Sequence, residues 1–239
     1  MDYATPLGII ALAGLVHASF QLGVSMMTLL SGHSLSSKRS KQRTLGLVTC
    51  FFMGAVVMTM LVVSFIAYVV TQSFAGDLPV WLWTLSSSLL LGLGIVVWAF
   101  YYRPGRDGTA LWLPRTAARF LSERTKSTRN EAEAFSLGLT SVLAELVFAI
   151  PPALAAALAI TTLPVVWQLP GVLLYVVVAS LGLGIVVVLT GSGRRISTIQ
   201  RWRESHKRFL QFAAGGGLLV LGFFIYVTYV VAPVMSGNF

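Results

Sequence analysis

The chain has 239 residues, of which 56% are hydrophobic and only 10% charged, with a mean hydropathy of +0.82. This composition excludes an ordinary soluble domain, and six spans of roughly 20 to 25 residues with short loops would use the whole length. The 17 Lys+Arg against 8 Asp+Glu give a net charge of +9, while a single cysteine excludes an internal disulfide, an iron-sulfur site or a Cys-rich zinc site.

Charge-free runs predict the elements in chain order. Residues 3–37 carry no formal charge and contain a first span over 6–30. The start, Met-Asp-Tyr-Ala-Thr-Pro, offers an acid where a secretory signal needs a basic n-region, so this span is read as a retained helix. Four basic residues follow (Lys38, Arg39, Lys41, Arg43), and then a second span over 46–71. The third span covers 78–102, with Trp81, Trp83, Trp98, Tyr101 and Tyr102 near its ends, as interfacial belts have. A basic linker over 103–134 separates it from the fourth span, 135–160. Within that linker Leu-Trp-Leu-Pro-Arg-Thr-Ala-Ala-Arg-Phe-Leu, residues 111–121, reads as a short amphipathic helix started by Pro114. Its Arg115 and Arg119 would lie on the anionic inner leaflet. Residues 134–193 contain one charge, Glu145, and break near Pro164 and Pro170, which gives a fifth span over 171–190. A further basic loop precedes the sixth span, 209–232.

All 17 basic residues fall in the three loops after spans one, three and five. The positive-inside rule then places those loops in the cytoplasm and both termini outside, in the plasma membrane of a prokaryote. The basic charge reads as topology and not as a nucleic-acid surface. The expected partners are the bilayer and its anionic lipids, a small solute, and as alternatives a second copy of the chain or another membrane protein.

The two halves superpose at a shift of about 124 residues. Gly14, Leu15, Gln21 and Leu22 fall on Gly138, Leu139, Glu145 and Leu146; one further step aligns Gly46 with Gly171 and Gly92, Leu93 and Tyr101 with Gly217, Leu218 and Tyr226. Because three spans is an odd number, a duplicated unit would insert upside down. The fold class predicted is therefore all-α, a single membrane domain over 1–239 built as an inverted 3+3 repeat, residues 6–102 and 135–232.

An ionisable group inside a bilayer is a functional candidate by default. Glu145 is the only charged residue well inside a span, where it can exchange a proton or meet a cationic group. Pro151 and Pro152 follow less than two turns later and predict a helix break there. In span one His17, Gln21, Ser25 and Thr28, spaced by four, four and three, make a polar stripe on a continuous helix. The repeat sets Gln21 opposite Glu145, which predicts a midplane site of His17, Gln21, Ser25, Ser141 and Glu145. The bland alternative for His17 and Glu145 is hydrogen bonding between helices. Ser86, Ser87, Ser88, Gly215, Gly216, Gly217, the methionines and Cys50 read as packing. No metal site, cofactor or enzymatic activity is expected.

The run LLLGLGIVVWAFYY at the end of span three, GGGLLVLGFFIYVTY in span six and RRISTIQRWRESHKRF before it resemble the lysine-exporter-like transporter superfamily. That resemblance implies six helices in two inverted repeats and export of a small solute. The proline-containing signature of its amino-acid exporters is absent from span one, where GLVHASFQLGVS stands. Related thiol-disulfide carriers need a cysteine in each of spans one and four, whereas Cys50 lies in span two; manganese or cadmium exporters would bring several intramembrane carboxylates. A retinal protein or voltage sensor would need basic residues within the spans. Two readings remain: a secondary transporter using Glu145, or a non-transporting scaffold or accessory subunit.

Overall fold

The computed structural model describes residues 3–20, 23–27, 30, 41–74, 78–100, 123–125, 127–128, 130–192 and 205–236, and every regular element among them is helical. These are α1 (Ala4–Ser19), α2 (Lys41–Phe74), α3 (Val80–Phe100), α4 (Glu131–Ala144), α5 (Leu146–Thr161), α6 (Val165–Ala179), α7 (Leu181–Gly191) and α8 (Lys207–Tyr226). A π-helical turn, Val227–Val231, joins α8 to the short α9 (Ala232–Ser236). Gln21, Thr28, Tyr101, Tyr102, Arg115, Arg119 and most of the basic linker lie outside the described residues.

Three helices are long and apolar enough to cross a membrane: Gln42–Phe74, Val80–Ala99 and Phe209–Met235. Two bent pairs add up to two further spans, α4 with α5 at 79° and α6 with α7 at 57°. α1 is apolar but shorter than a full crossing. The chain is thus an all-helical protein with three to five candidate spans among its described residues.

Two sequence expectations change. The fourth span is not a single helix broken at Pro151 and Pro152; α5 runs through both prolines, and the chain bends at Glu145 instead. A proline crowds the carbonyl four residues before it and supplies no amide to it, so this pair weakens the turn at Val147 and Phe148 and the bend appears upstream of the prolines. The fifth span starts at Val165, earlier than Gly171, with Pro170 accommodated inside α6, and it bends at Ser180. At the other end of the chain Pro233 lies four residues after Tyr229 and crowds that carbonyl in the same way, which accounts for the widened π-turn.

α5 is the hub, packed against α1, α2, α3 and α6. Alanine dominates it because a helix enclosed on all sides needs short side chains: Ala153, Ala155, Ala156, Ala157 and Ala159 are all buried. Inside a bilayer the apolar effect does not drive helices together, so close backbone approach carries the association. α2 crosses α4 where Gly54 meets the Phe135 carbonyl and Gly138 meets the Phe51 carbonyl; a Cβ at either position would overlap that oxygen. α3 packs along α8 through Gly94, Gly215 and Gly222, with Trp98 lying on Gly215 and stacked on Phe212 at 5.3 Å.

These close approaches recur across the two halves. Gly14 lies against Tyr175 and Gly138 against Phe51; Gly215 lies against Trp98 and Leu91 against Gly222. In each pair of contacts one residue moves forward by 124 positions and its partner back by 124. Helix contacts follow the same exchange where α1 packs on α6 as α4 packs on α2.

Candidate functional site

Glu145 occupies the corner between α4 and α5, where it ends one helix and precedes the next. It is 4% exposed. The Gly23 amide, at the start of the helical residues 23–27, donates a 2.8 Å hydrogen bond to Glu145 Oε1 across the interface between the first and fourth apolar stretches. α1 stops at Ser19, with the Phe20 amide bonding back to the His17 carbonyl at 3.1 Å. With the helix ended at Ser19, the Gly23 amide donates outside its own segment, and Glu145 Oε1 accepts it.

Gly23 is packed tightly. A Cβ there would lie 3.3 Å from Leu183, 3.5 Å from Phe51 and 3.6 Å from Ser141 Oγ. Ser141 is buried beside it and donates to its own helix at Gly138 O, 2.8 Å away. Ser25, two residues beyond Gly23, is half-buried. Phe20 stacks on Phe148 at 5.5 Å and closes the corner from the α5 side.

His17 has a different setting. Its Nδ1 shares a 2.7 Å hydrogen bond with the Tyr175 hydroxyl of α6, with both residues buried, and the direction of that bond follows the histidine tautomer. Under the 124-residue exchange His17 and Tyr175 correspond to Ser141 and Phe51, two of the three side chains that frame Gly23. The polar set predicted from sequence is thus divided into a His17–Tyr175 pair and a Glu145–Gly23–Ser141 corner. Tyr175 and Gly23 were not anticipated. A lone tyrosine within the valine-rich run 172–178 was the available signal for the first, because a buried phenol needs a partner; a backbone amide leaves no signal for the second.

Tyr175→Phe deletes the hydroxyl and leaves a buried imidazole nitrogen without that partner. The expected cost is about 1 to 3 kcal/mol. It is read as a lower melting temperature of the purified protein, and a His17→Phe, Tyr175→Phe double variant should recover part of the loss. A single variant as stable as the parent would show that the bond contributes nothing.

Among the described residues no group of three or more His, Cys, Asp or Glu side chains is arranged to hold a metal ion. The helices define the class as a helical membrane protein. No family model matches the chain, and neither the curated proteins nor the solved structures contain a match to it.

Proposed function

We propose that this protein is a secondary transporter that exports a small solute across the plasma membrane of a prokaryote, with Glu145 as its coupling residue. The observation that carries the reading is the Glu145 corner: the one acid within a 60-residue apolar stretch lies buried at a 79° bend and is held by a backbone amide from another broken segment. Interrupted helices that meet near the middle of a membrane are how transporters expose backbone and carboxyl groups to a solute. The reciprocal contacts displaced by 124 residues support an inverted 3+3 repeat of six spans. In that architecture one half rocks against the other around the α1–α5 interface.

The test is flux in proteoliposomes. Small amines, amino acids and organic cations are supplied in turn against an imposed pH gradient, whose collapse is followed with entrapped pyranine. At least one solute should collapse the gradient with the parent protein and none with Glu145→Gln. The competing reading, a non-transporting scaffold or accessory subunit, is favoured by the burial of Glu145 and by the closed His17–Tyr175 bond. It predicts no solute-dependent proton movement from either protein. Topology is tested separately: an N-terminal epitope tag should be reached by antibody in intact spheroplasts, and a tag reached only after permeabilisation would reverse the orientation.

A further inference from the structure

A cavity of 590 Å³ between α3 and α8 is lined by Leu91, Leu219, Val220, Phe223, Phe224 and Val227, all apolar. A second, of 630 Å³, differs in chemistry: Tyr3, Thr5, Pro6, Thr162, Leu163, Pro164 and Tyr229 line it. It sits where the start of α1, the α5–α6 turn and the π-turn after α8 converge, at the opposite end of these helices from the basic loops.

Each of its tyrosines is backed by a tryptophan. Tyr229 stacks on Trp83 with ring centroids 3.8 Å apart and planes 8° from parallel, and Tyr3 stacks on Trp167 at 6.3 Å. Interfacial belts account for half-exposed rings such as Trp81 and Trp167. They do not account for Trp83, which is 3% exposed and supports Tyr229 from inside the protein. Tyr229 itself is carried on the π-turn, a local widening that is frequent at functional sites. One turn inward from Trp83 on the same face of α3, the Ser86 hydroxyl is buried with no hydrogen-bond partner. An unpartnered buried hydroxyl is costly.

The sign of the ligand follows from the side chains. Two helices, α1 and α6, begin at this cavity and one, α5, ends there, so the helix dipoles offset one another only in part and the choice of ligand rests on the side chains. Among the described residues no lysine or arginine lines it. Two tyrosine faces with threonine hydroxyls, and no cation among the described lining residues, match an ammonium group attached to an apolar body.

We propose that this cavity is an outer binding site for a small organic cation, bound through its ammonium group on the faces of Tyr229 and Tyr3. For a role in transport the site rests on the transporter reading, as the mouth through which a cationic solute leaves. Its binding test does not depend on flux.

Benzyltrimethylammonium is titrated by calorimetry into the full-length protein in nanodiscs, with empty nanodiscs as the blank and benzenesulfonate as the anionic counterpart. The cation should bind saturably and the sulfonate should not. Loss of one aromatic face by Tyr229→Leu should weaken binding about tenfold, while Tyr229→Phe keeps it within about twofold. Tyr3→Ala, at the start of α1 and outside the packed interior, should weaken binding as well and serves if Tyr229→Leu does not fold. Binding is read as heat and transport as proton flux, so a failure of transport and a failure of this site are read apart. Absence of saturable heat, equal binding of the sulfonate, or parental affinity in the folded Tyr229→Leu and Tyr3→Ala variants would overturn the proposal.

Discussion

Glu145→Gln is expected to reduce solute-dependent proton flux to the level of empty liposomes while leaving the folded protein within about 1 kcal/mol of the parent. Glutamine preserves the length of the side chain and its carbonyl oxygen, so the Gly23 amide keeps an acceptor at the place where Glu145 Oε1 now receives it at 2.8 Å. What is lost is the ionisable carboxyl that the proposed coupling requires. Alanine is the wrong variant for this purpose: it strands a buried amide and costs about 1 to 3 kcal/mol, so lost flux could reflect lost structure. Aspartate retains the proton but withdraws the carboxylate by one methylene from Gly23, and slow residual flux is the expected result. Flux is measured with entrapped pyranine, and folding by the melting temperature of the same preparation. Parental flux from a correctly folded Glu145→Gln protein would remove Glu145 from the mechanism.

The sequence made the apolar stretches legible because charge is nearly confined to loops, and it singled out Glu145 because no other charge interrupts residues 134–193. The grouping around it was read less well, for a geometric reason. Placing His17, Gln21, Ser25 and Thr28 on one face assumes an unbroken rotation of 100° per residue from His17 onward. α1 ends at Ser19, and the assumption fails within one turn. His17 instead finds Tyr175, 158 residues away, a pairing that no local spacing encodes. The position of the bend was misread because a proline's steric effect falls on the turn before it, so Pro151 and Pro152 mark a break seen at Glu145. Alignment by identities wavered between shifts of 124 and 125 residues. The reciprocal contacts Gly14–Tyr175 and Gly138–Phe51, and Gly215–Trp98 and Gly222–Leu91, follow 124. The Trp83–Tyr229 stack was hidden for a different reason, since a buried tryptophan near a span end has the same sequence signature as an interfacial one.

Three glycine-to-alanine variants should separate by close approach and not by helix propensity. Alanine is favoured over glycine in a helix by roughly 0.8 to 1 kcal/mol wherever the methyl has room. At Gly92 no atom outside its own helix lies within 4 Å of the new Cβ, so Gly92→Ala should leave the melting temperature unchanged or raise it. At Gly14 the methyl would meet Val178 Cβ at 3.0 Å and the Tyr175 carbonyl oxygen at 3.1 Å, tight contacts that a small displacement of α6 relieves. At Gly138 it would overlap the Phe51 carbonyl oxygen and lie 2.9 Å from the Ala55 amide nitrogen. Neither atom can turn away, because both belong to the backbone of α2, so the helices must separate along the whole crossing. Overpacking of this kind costs about 1 to 3 kcal/mol and outweighs the propensity gain. The expected order of melting temperature, in one detergent and read by size-exclusion thermal challenge, is Gly92→Ala highest, Gly14→Ala intermediate and Gly138→Ala lowest. Gly138→Leu should not give a monodisperse protein. Because Gly14 and Gly138 correspond at the 124-residue shift, the pair also probes the repeat: both crossings should respond in the same direction, the tighter one more strongly. If Gly138→Ala melts as high as Gly92→Ala, α2 and α4 do not meet backbone to backbone, and the contact that supports the reciprocal architecture is lost with them.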